Sequence, residues 1–364
     1  MFAKPIILAT TLIVLTSLSA TAQNNIEKKV DRIVNAAMKA DNFPGLAIAI
    51  IQDGKPIFEK GYGVRSINDG VTPDANTVFS IGSVSKAFTA VGLMTLVQDS
   101  KISLDDPIGK YMINLPKEWL DITIRQFMTH TSGIPDLQKI KDEESFENSL
   151  ALAAKQPLAF KPGTRQLYNN FNFAVMGKLI ETVSGMAYIP FMRAKIFDPL
   201  GMSSTGVKPA SSDLSTGHME RNGKLVAIQT HFKPNDYGVP SGGLQTTLND
   251  FVKLSQALTS TSLLRKKTIN AMWTPYSQKL TNTPGWHSRM AGKELIIHKG
   301  GGGTGIGSVC DYKIVPSRNI CVVIMINKAK NNSNPSTITD DILSKCFGIA
   351  ASSGDDQAGE GNER

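Results

Sequence analysis

Cysteine is scarce in this chain, and its few cysteines are not spaced for the roles that cysteines commonly serve. The 364 residues include only Cys310, Cys321 and Cys346, an odd number. Their spacing does not match a zinc site. A hairpin that turns at residues 316–319 would place Cys310 near Met325 rather than Cys321. We therefore expect buried apolar thiols and no disulfide in that hairpin.

Long apolar runs are also lacking, apart from one at the start of the chain. Lys4 precedes the apolar run PIILATTLIVLTSLS, which is followed by the small residues Ala20 and Ala22. This order predicts a cleaved signal peptide over residues 1–22. The alternative is a membrane anchor, but the run is short for a bilayer span and ends in small polar residues. We therefore expect an exported chain, periplasmic or secreted, without stable membrane insertion after cleavage.

The sequence has no basic stripe interleaved with aromatic residues. Its formal net charge is +8, but the positive side chains are scattered along the chain. This pattern disfavours nucleic-acid binding and favours solubility or attraction to an anionic envelope. The expected partner is a small-molecule or peptide substrate, and the sequence leaves the oligomeric state open.

The hydrophobic content, 41% of the residues, is enough for a large core. Apolar residues recur at helical spacing over residues 26–40, and an Asp53-Gly54 turn between two apolar runs predicts a hairpin. Short helical patterns fill residues 100–235, and three β-rich runs and a closing helix follow Trp273. These patterns predict an α+β fold. One antiparallel sheet from both chain ends is covered by terminal helices, and a mainly helical lobe is inserted.

These elements predict one catalytic-type domain over residues 23–351. Its α/β lobe comprises residues 23–80 and 270–351, and its helical lobe comprises roughly residues 81–269. The polar, acidic end of the chain, residues 352–364, has no periodicity and is predicted to be a disordered tail. A cleft between the sheet and the helical lobe is the expected place for a functional site.

The stretch FSIGSVSKAFTA, residues 79–90, contains the first candidates for chemistry. Ser83 and Lys86 are three residues apart at the start of a helical run, so both side chains lie on one helix face. A serine nucleophile needs an adjacent base, and a buried lysine whose pKa is lowered can act as one. No other serine in the sequence has lysine at this spacing. The alternative is an ordinary polar helix start, since such a pair also arises by chance.

Two later stretches add candidates. Of the seven tyrosines only Tyr168 has asparagine two residues on, at Asn170, and of the five histidines only His298 has glycine there, at Gly300. Tyr168 is either a phenol that shuttles a proton to a leaving group or an ordinary loop tyrosine. His298 is either a polar group at a strand edge, where glycines let a substrate backbone approach, or an ordinary strand-end histidine.

With these three motifs in this order and spacing, the sequence resembles the serine β-lactamase and penicillin-binding protein superfamily. It looks most similar to the branch of class C β-lactamases, D-alanyl-D-alanine carboxypeptidases and family VIII esterases. The stretches MTHTSGIPD, KPGTRQLYNN and PSGGLQTTLNDFVKL are similar to signatures of that family. The resemblance covers roughly residues 30–348. It implies a β-lactamase/transpeptidase-like fold, an acyl-serine mechanism, and no need for a metal or an organic cofactor.

The resemblance also implies a role for each matching residue. Ser83 attacks a carbonyl and becomes acylated, while Lys86 and Tyr168 relay its proton to the leaving group. Which of these two is the primary base stays open. The implied substrate-binding residues are Asn170, His298, Lys299 and Gly300, and the implied oxyanion hole consists of the backbone N–H groups of Ser83 and Gly301.

The third motif departs from the class C pattern. His298 stands where lysine is usual, as in many carboxypeptidase-like and esterase-like members, and Lys299 stands where threonine is common. Replacing a compact hydroxyl by a long cation disfavours β-lactam hydrolysis. The long run Gly300–Gly303 predicts a mobile loop beside the site. His130, in THTSG, matches the family without a catalytic role and is interpreted as structural.

The leading hypothesis is an exported serine hydrolase, peptidase-like or esterase-like, that cleaves an ester or amide through an acylated Ser83. One alternative is a class C-type β-lactamase. Another is a penicillin-binding or sensor protein that is acylated without efficient turnover, and a third is a relative without activity. The sequence does not choose among peptide, amide, ester and β-lactam substrates, because fold resemblance carries no substrate.

Overall fold

The computed structural model describes most of the chain. The described residues are 7–137, 145–209, 211–228, 232–233, 236–329 and 334–350, with side chains from residue 23 onward. The predicted tail, residues 352–364, lies outside these ranges.

Within the described residues the helices and strands follow one another along the chain as expected for an α+β fold. The helices are α1 (Ile7–Asp41), α2 (Ser85–Gln98), α3 (Ile124–Met128), α4 (Phe146–Ala153), α5 (Asn170–Ser184), α6 (Tyr188–Met192), α7 (Val239–Gly242), α8 (Leu248–Ser260), α9 (Lys266–Trp273) and α10 (Pro335–Phe347). The strands are β1 (Gly45–Gln52), β2 (Lys55–Gly63), β3 (Phe79–Ser80), β4 (Gly217–Arg221), β5 (Lys224–Ile228), β6 (Gln245–Thr246), β7 (Asn282–Thr283), β8 (Trp286–Ala291), β9 (Glu294–Gly303), β10 (Ser308–Val315) and β11 (Ile320–Ile326).

The main sheet joins the two ends of the chain. Its seven strands run in the order β2-β1-β11-β10-β9-β8-β7, and every neighbouring pair is antiparallel. The hairpin between β1 and β2 turns at Asp53 and Gly54, whose φ angles of 50° and 73° are those of a type I′ turn. The predicted fold class, with one antiparallel sheet from both chain ends, is confirmed.

The two faces of the sheet serve two separate cores because successive side chains of a strand point to opposite faces. On β11, Val322 and Ile324 pack in the core that includes residues of the terminal helices α1 and α10. Val323 and Met325 pack in the larger core under the helical lobe. The functional residues described below lie at the seam between the sheet and that helical lobe.

The cysteine prediction is confirmed by the register of β10 and β11. Cys310 lies opposite Met325, and Cys321 lies opposite Ile314. All three cysteines are free thiols, and Cys310 and Cys321 are fully buried. Burial raises the pKa of Cys321 to about 12, so its thiol stays protonated and unreactive at neutral pH.

Local signals in the sequence set several helix ends. Gly185 follows α5 with a φ of 70°, the left-handed conformation that favours glycine at a helix end. Thr247 is the N-cap of α8, and its side chain accepts from the backbone N–H of Asp250. Among the described residues no helix is both long enough and apolar enough to cross a bilayer.

The sequence did not predict β7, β8 or the separate β4–β5 hairpin. The stretch of β8, WHSRMA, mixes polar and apolar residues, and its partner β7 is only two residues long. β8 forms because it pairs with β9, and β7 forms because it pairs with β8 at the end of the sheet, which is a tertiary effect.

Candidate active site

Ser83 lies in a tight turn that joins β3 to α2. Gly82 begins this turn with a φ of 51°, which favours glycine, and the short 3₁₀ turn Gly82–Val84 leads directly into α2. Lys86 lies in the first turn of α2 and is fully buried. Its Nζ donates to Ser83 Oγ over 3.2 Å, so the spacing of three residues brings both groups into contact.

Tyr168 reaches the same point from the segment that leads into α5. Its Oη lies 2.5 Å from Ser83 Oγ. The next residue, Asn169, caps α5: its side chain accepts from the backbone N–H groups of Phe171 and Asn172. A cap so close to Tyr168 fixes the backbone from which the phenol projects.

Carbonyl oxygens hold the Lys86 ammonium. Its Nζ donates to Asn170 Oδ1 over 2.7 Å and to the backbone oxygen of Ser241, in α7, over 2.6 Å. It also lies 4.7 Å from the centre of the Tyr168 ring. Two N–H groups directed at two carbonyls leave the third position of the nitrogen directed at Ser83 Oγ.

His130 packs against the ring of Tyr168. Its Nδ1 accepts from the backbone N–H of Asn169 over 3.2 Å, and its ring centre is 4.7 Å from that of Tyr168. Burial lowers the pKa of His130 well below its ordinary value, and the positive charges of Lys299 and Lys86 lower it further. His130 is therefore a neutral packing partner, in line with its structural interpretation.

The third motif is placed one residue later than the sequence predicted. Lys299, not His298, faces the seam: its Nζ lies 5.2 Å from the centre of the Tyr168 ring. Lys299 pairs with Tyr312 of β10, whose ring belongs to the core under the helical lobe. His298 pairs with Lys313, whose Nζ donates to the backbone oxygen of Ser336 in α10.

The structure therefore does not bring His298, one of the implied substrate-binding residues, to Ser83. Neighbouring residues of a strand point to opposite faces, so a register that places Lys299 against Tyr168 turns His298 away from it, and the His298 ring lies 5.3 Å from that of His287. Consistently, the pKa of His298 is lowered well below its ordinary value by burial and then by Lys313, Arg289 and Lys299. The motif at the site is Lys299-Gly300-Gly301, and its middle position carries no side chain.

Glycines let β9 touch the serine turn directly. A Cβ on Gly301 would lie 2.6 Å from the backbone nitrogen of Ser83, and one on Gly82 would lie 2.5 Å from that of Gly302. Only glycine fits at position 301 and at position 82, since a Cβ there would lie less than 3 Å from backbone atoms. Gly301 therefore lies next to Ser83, where its N–H was predicted to help form an oxyanion hole.

Sequence reasoning missed several neighbours of the site. Ser241 and Asp136 lie in PSGGL and SGIPD, stretches that had been singled out without naming these residues. Burial raises the pKa of Asp136, against the opposing effects of the Asn170 backbone N–H and of Lys86. His287 and Asn282, on β8 and β7, had no signal in the sequence, because only the fold brings them near Lys299.

A serine, a lysine and a tyrosine thus meet where a helical lobe packs on an antiparallel sheet. This fold and site define the class of hydrolases with the β-lactamase fold. In the described part of the chain no group of His, Cys, Asp and Glu side chains is arranged to hold a metal ion. The family model for Beta-lactamase matches residues 30–346, and the chain belongs to this family.

Curated relatives and solved structures agree with this membership. A teichoic acid D-alanine hydrolase of Staphylococcus aureus is 29% identical over 69% of this chain and 62% of its own length. A β-lactamase of Escherichia coli K12 is 30% identical over 68% of this chain and 65% of its own length. The octameric penicillin-binding protein homologue of Pyrococcus abyssi superposes with a TM-score of 0.79 at 25% identity, over 89% of this chain and 78% of that one. FmtA of Staphylococcus aureus shares the fold, with a TM-score of 0.75 at 24% identity over 89% of each chain.

Proposed function

We propose that this chain is an exported serine hydrolase that cleaves an ester or amide bond through an acyl-Ser83 intermediate. The observation that carries the proposal is the contact of Ser83 Oγ with both Tyr168 Oη and Lys86 Nζ, at 2.5 and 3.2 Å. A serine hydroxyl becomes a useful nucleophile when such groups accept its proton. Export rests on the signal-peptide pattern of residues 1–22.

In the first step Ser83 Oγ bonds to the substrate carbonyl carbon, and its proton passes to the pair of Tyr168 and Lys86. The carbonyl oxygen becomes an oxyanion, which the N–H groups of Ser83 and Gly301 stabilise. The intermediate collapses when the bond to the leaving group breaks, and the leaving oxygen or nitrogen takes the relayed proton. The product of this step is an ester of Ser83.

In the second step water attacks the Ser83 ester and gives its proton to the same pair. The bond between Ser83 Oγ and the acyl carbon breaks, and the proton returns to Ser83. Lys86 suits proton transfer in both directions. Two carbonyl oxygens fix its nitrogen, and the third hydrogen-bonding position of that nitrogen points at Ser83 Oγ. Both groups contact Ser83 Oγ, so we assign the relay to the pair.

The third motif favours a substrate acyl group without a carboxylate near the reacting bond. Lys299 is only 2% exposed, and its ammonium faces His287 and the Tyr168 ring. Gly300 offers no hydroxyl in place of the threonine that commonly helps hold a substrate carboxylate. This supports an esterase-like activity over carboxypeptidase or β-lactamase activity. The name of the Staphylococcus relative makes D-alanyl esters the first substrates to test.

A β-lactamase activity is the second candidate, and the E. coli relative is the observation in its favour. The test is one panel on the purified mature chain: p-nitrophenyl esters, a D-alanyl ester, D-alanyl-D-alanine peptides, D-amino acid amides and nitrocefin. Ser83→Ala and the exposed control Ser260→Ala at the end of α8 are assayed beside the wild type. A fluorophosphonate probe reports acylation of the serine in all three proteins.

We expect ester turnover and probe labelling in the wild type and in Ser260→Ala, and neither in Ser83→Ala. Faster turnover of nitrocefin than of any ester would favour β-lactamase activity over esterase activity. Labelling of one serine per chain without turnover of any substrate would favour a protein that stays acylated. Labelling that persists in Ser83→Ala would refute the acyl-Ser83 mechanism.

A further inference from the structure

A second buried histidine, His287, lies beside Lys299 and has no part in the mechanism above. It is on β8, is 8% exposed, and its Nε2 lies 2.9 Å from Lys299 Nζ. The Lys299 ammonium in turn lies over the ring of Tyr168, whose Oη contacts Ser83. A continuous series of contacts therefore runs from the end of the sheet to the nucleophile.

The hydrogen bonds fix which nitrogen of His287 carries the proton. Its Nδ1 faces the side-chain oxygen of Asn282 on β7, and the side-chain nitrogen of Asn282 donates to the backbone oxygen of Thr129 over 3.3 Å. The amide oxygen can only accept, so Nδ1 carries the hydrogen and donates. In a neutral imidazole this leaves Nε2 as an acceptor, directed at the Lys299 ammonium.

The charged and titratable groups around His287 favour this neutral form. Burial lowers its pKa well below the ordinary value, and four neighbours lower it further: Lys299 and His298 on β9, His130 after α3, and Lys86 on α2. All four are cationic or can become so. Protonation of Nε2 would turn an N–H toward the Lys299 ammonium and break the contact.

We propose that His287, oriented by Asn282, is a positioning residue that holds the Lys299 ammonium against the Tyr168 ring while Ser83 is acylated. The imidazole that holds this ammonium comes from β8, the strand next to β9. The inference rests on the proposed function for its effect on rate, but the contact itself is measurable without turnover.

The contact is tested first by NMR of the full mature chain labelled with ¹⁵N in histidine side chains. His287→Gln assigns the His287 signals by their loss. We expect the Nδ1-protonated neutral form, unchanged down to pH values well below the ordinary histidine pKa of about 6.5. An Nε2-protonated form, or an imidazolium at neutral pH, would overturn the proposal whether or not Ser83 reacts.

The effect on acylation is tested by the rate of fluorophosphonate labelling against pH. In His287→Leu, which removes the acceptor, we expect a loss of about tenfold or more. His287→Gln keeps an acceptor oxygen and should recover most of the rate. Asn282→Asp places a carboxylate beside the imidazole and raises the imidazole pKa. The fall of the labelling rate on the acid side of the pH profile, the acid limb, should therefore move to higher pH by about one unit. The control His218→Gln changes a buried histidine that contacts the backbone of Asn327.

Asn282→Asp keeps the size of the side chain, so it tests the proposal even where His287→Leu fails to fold. A purely structural role for His287 would lower the rate at all pH values without moving the acid limb, and this result would overturn the proposal. A wild type that is not labelled at Ser83 would defeat the proposed function instead. The NMR measurement would then still decide the contact.

Discussion

The Oη of Tyr168 lies 2.5 Å from Ser83 Oγ, closer than Lys86 Nζ at 3.2 Å. The same tyrosine ring is approached by two ammonium groups, with the nitrogens of Lys86 and Lys299 at 4.7 and 5.2 Å from its centre. Both ammonium groups thus lie against the phenol that contacts Ser83, an arrangement that suits the proton relay of the proposed mechanism.

Removing only the Tyr168 oxygen should separate catalysis from folding. Tyr168→Phe keeps the ring that packs against His130 but loses the contact with Ser83. We expect the rate of Ser83 acylation to fall by about 10²- to 10⁴-fold, as for other general acid–base groups, with little change in thermal stability. Stopped-flow acylation and a melting curve measure the two quantities. Acylation at the wild-type rate would remove Tyr168 from the relay.

A matched pair of variants tests which residue of the third motif serves the site. Lys299→Met should slow acylation by about tenfold or more, because the ammonium over Tyr168 is lost. His298→Gln should leave acylation closer to wild type, because the His298 ring lies against His287 and not against Tyr168. Both rates come from probe labelling under the same conditions. The opposite ranking would restore His298 as the motif residue.

Gly301→Ala should damage both fold and activity. The added Cβ would lie 2.4 Å from the backbone oxygen of Ile81 and 2.6 Å from the nitrogen of Ser83. Because both neighbours are backbone, β9 has to shift, and we expect a loss of about 1–3 kcal/mol in the free energy of unfolding. Gly305→Ala is the control, since a Cβ there meets no atom within 4 Å. Equal stability of the two variants in urea would contradict the close packing of β9 on the serine turn.

Acid should destabilise the fold through its buried histidines. His130 and His287 are 3% and 8% exposed, and burial lowers the pKa of each well below the ordinary value. Below about pH 6.5 the unfolded chain binds protons that the native chain does not, so the free energy of unfolding falls as pH falls. Each histidine contributes a slope of at most about 1.4 kcal/mol per pH unit, which persists down to its native pKa.

Urea unfolding between about pH 7.5 and 5.5 measures this slope, in a range above the ordinary carboxylate pKa values. The double variant His130→Asn, His287→Gln should reduce it and leave the part that His298 and His218, whose pKa values are also lowered by burial, contribute. Asparagine is chosen at position 130 because His130 has a φ of 59°, a conformation that asparagine tolerates. A slope as steep in the double variant as in the wild type would show that other groups titrate.

Local patterns predicted much of the fold. The Asp53-Gly54 turn, the glycine after α5 and the hairpin that sets Cys310 opposite Met325 all follow from short-range rules that the structure confirms. The contact of Ser83 with Lys86 is equally local, because a helix places residues three apart on one face. Tyr168 and Asn170 came from resemblance to a family rather than from any pattern that places them near Ser83.

The third motif shows where such reasoning fails. The glycine spacing singled out His298, but a strand turns alternate residues to opposite faces, and a shift of one residue exchanges them. Only the register of β9 against β10, with Tyr312 opposite Lys299, decides which side chain meets Tyr168. The sequence did not predict His287 and Asn282 as neighbours of the site for a related reason, since β7 and β8 form only by pairing at the end of the sheet.

The sequence by itself determined the contact of Ser83 with Lys86, the tight turns and several helix ends, because each depends on residues a few positions apart. The tertiary structure alone decided that Tyr168, Ser241 and Lys299 surround that pair. These residues are separated by many tens of positions in the chain. Their meeting depends on how the helical lobe packs on one face of the sheet, which local spacing does not encode.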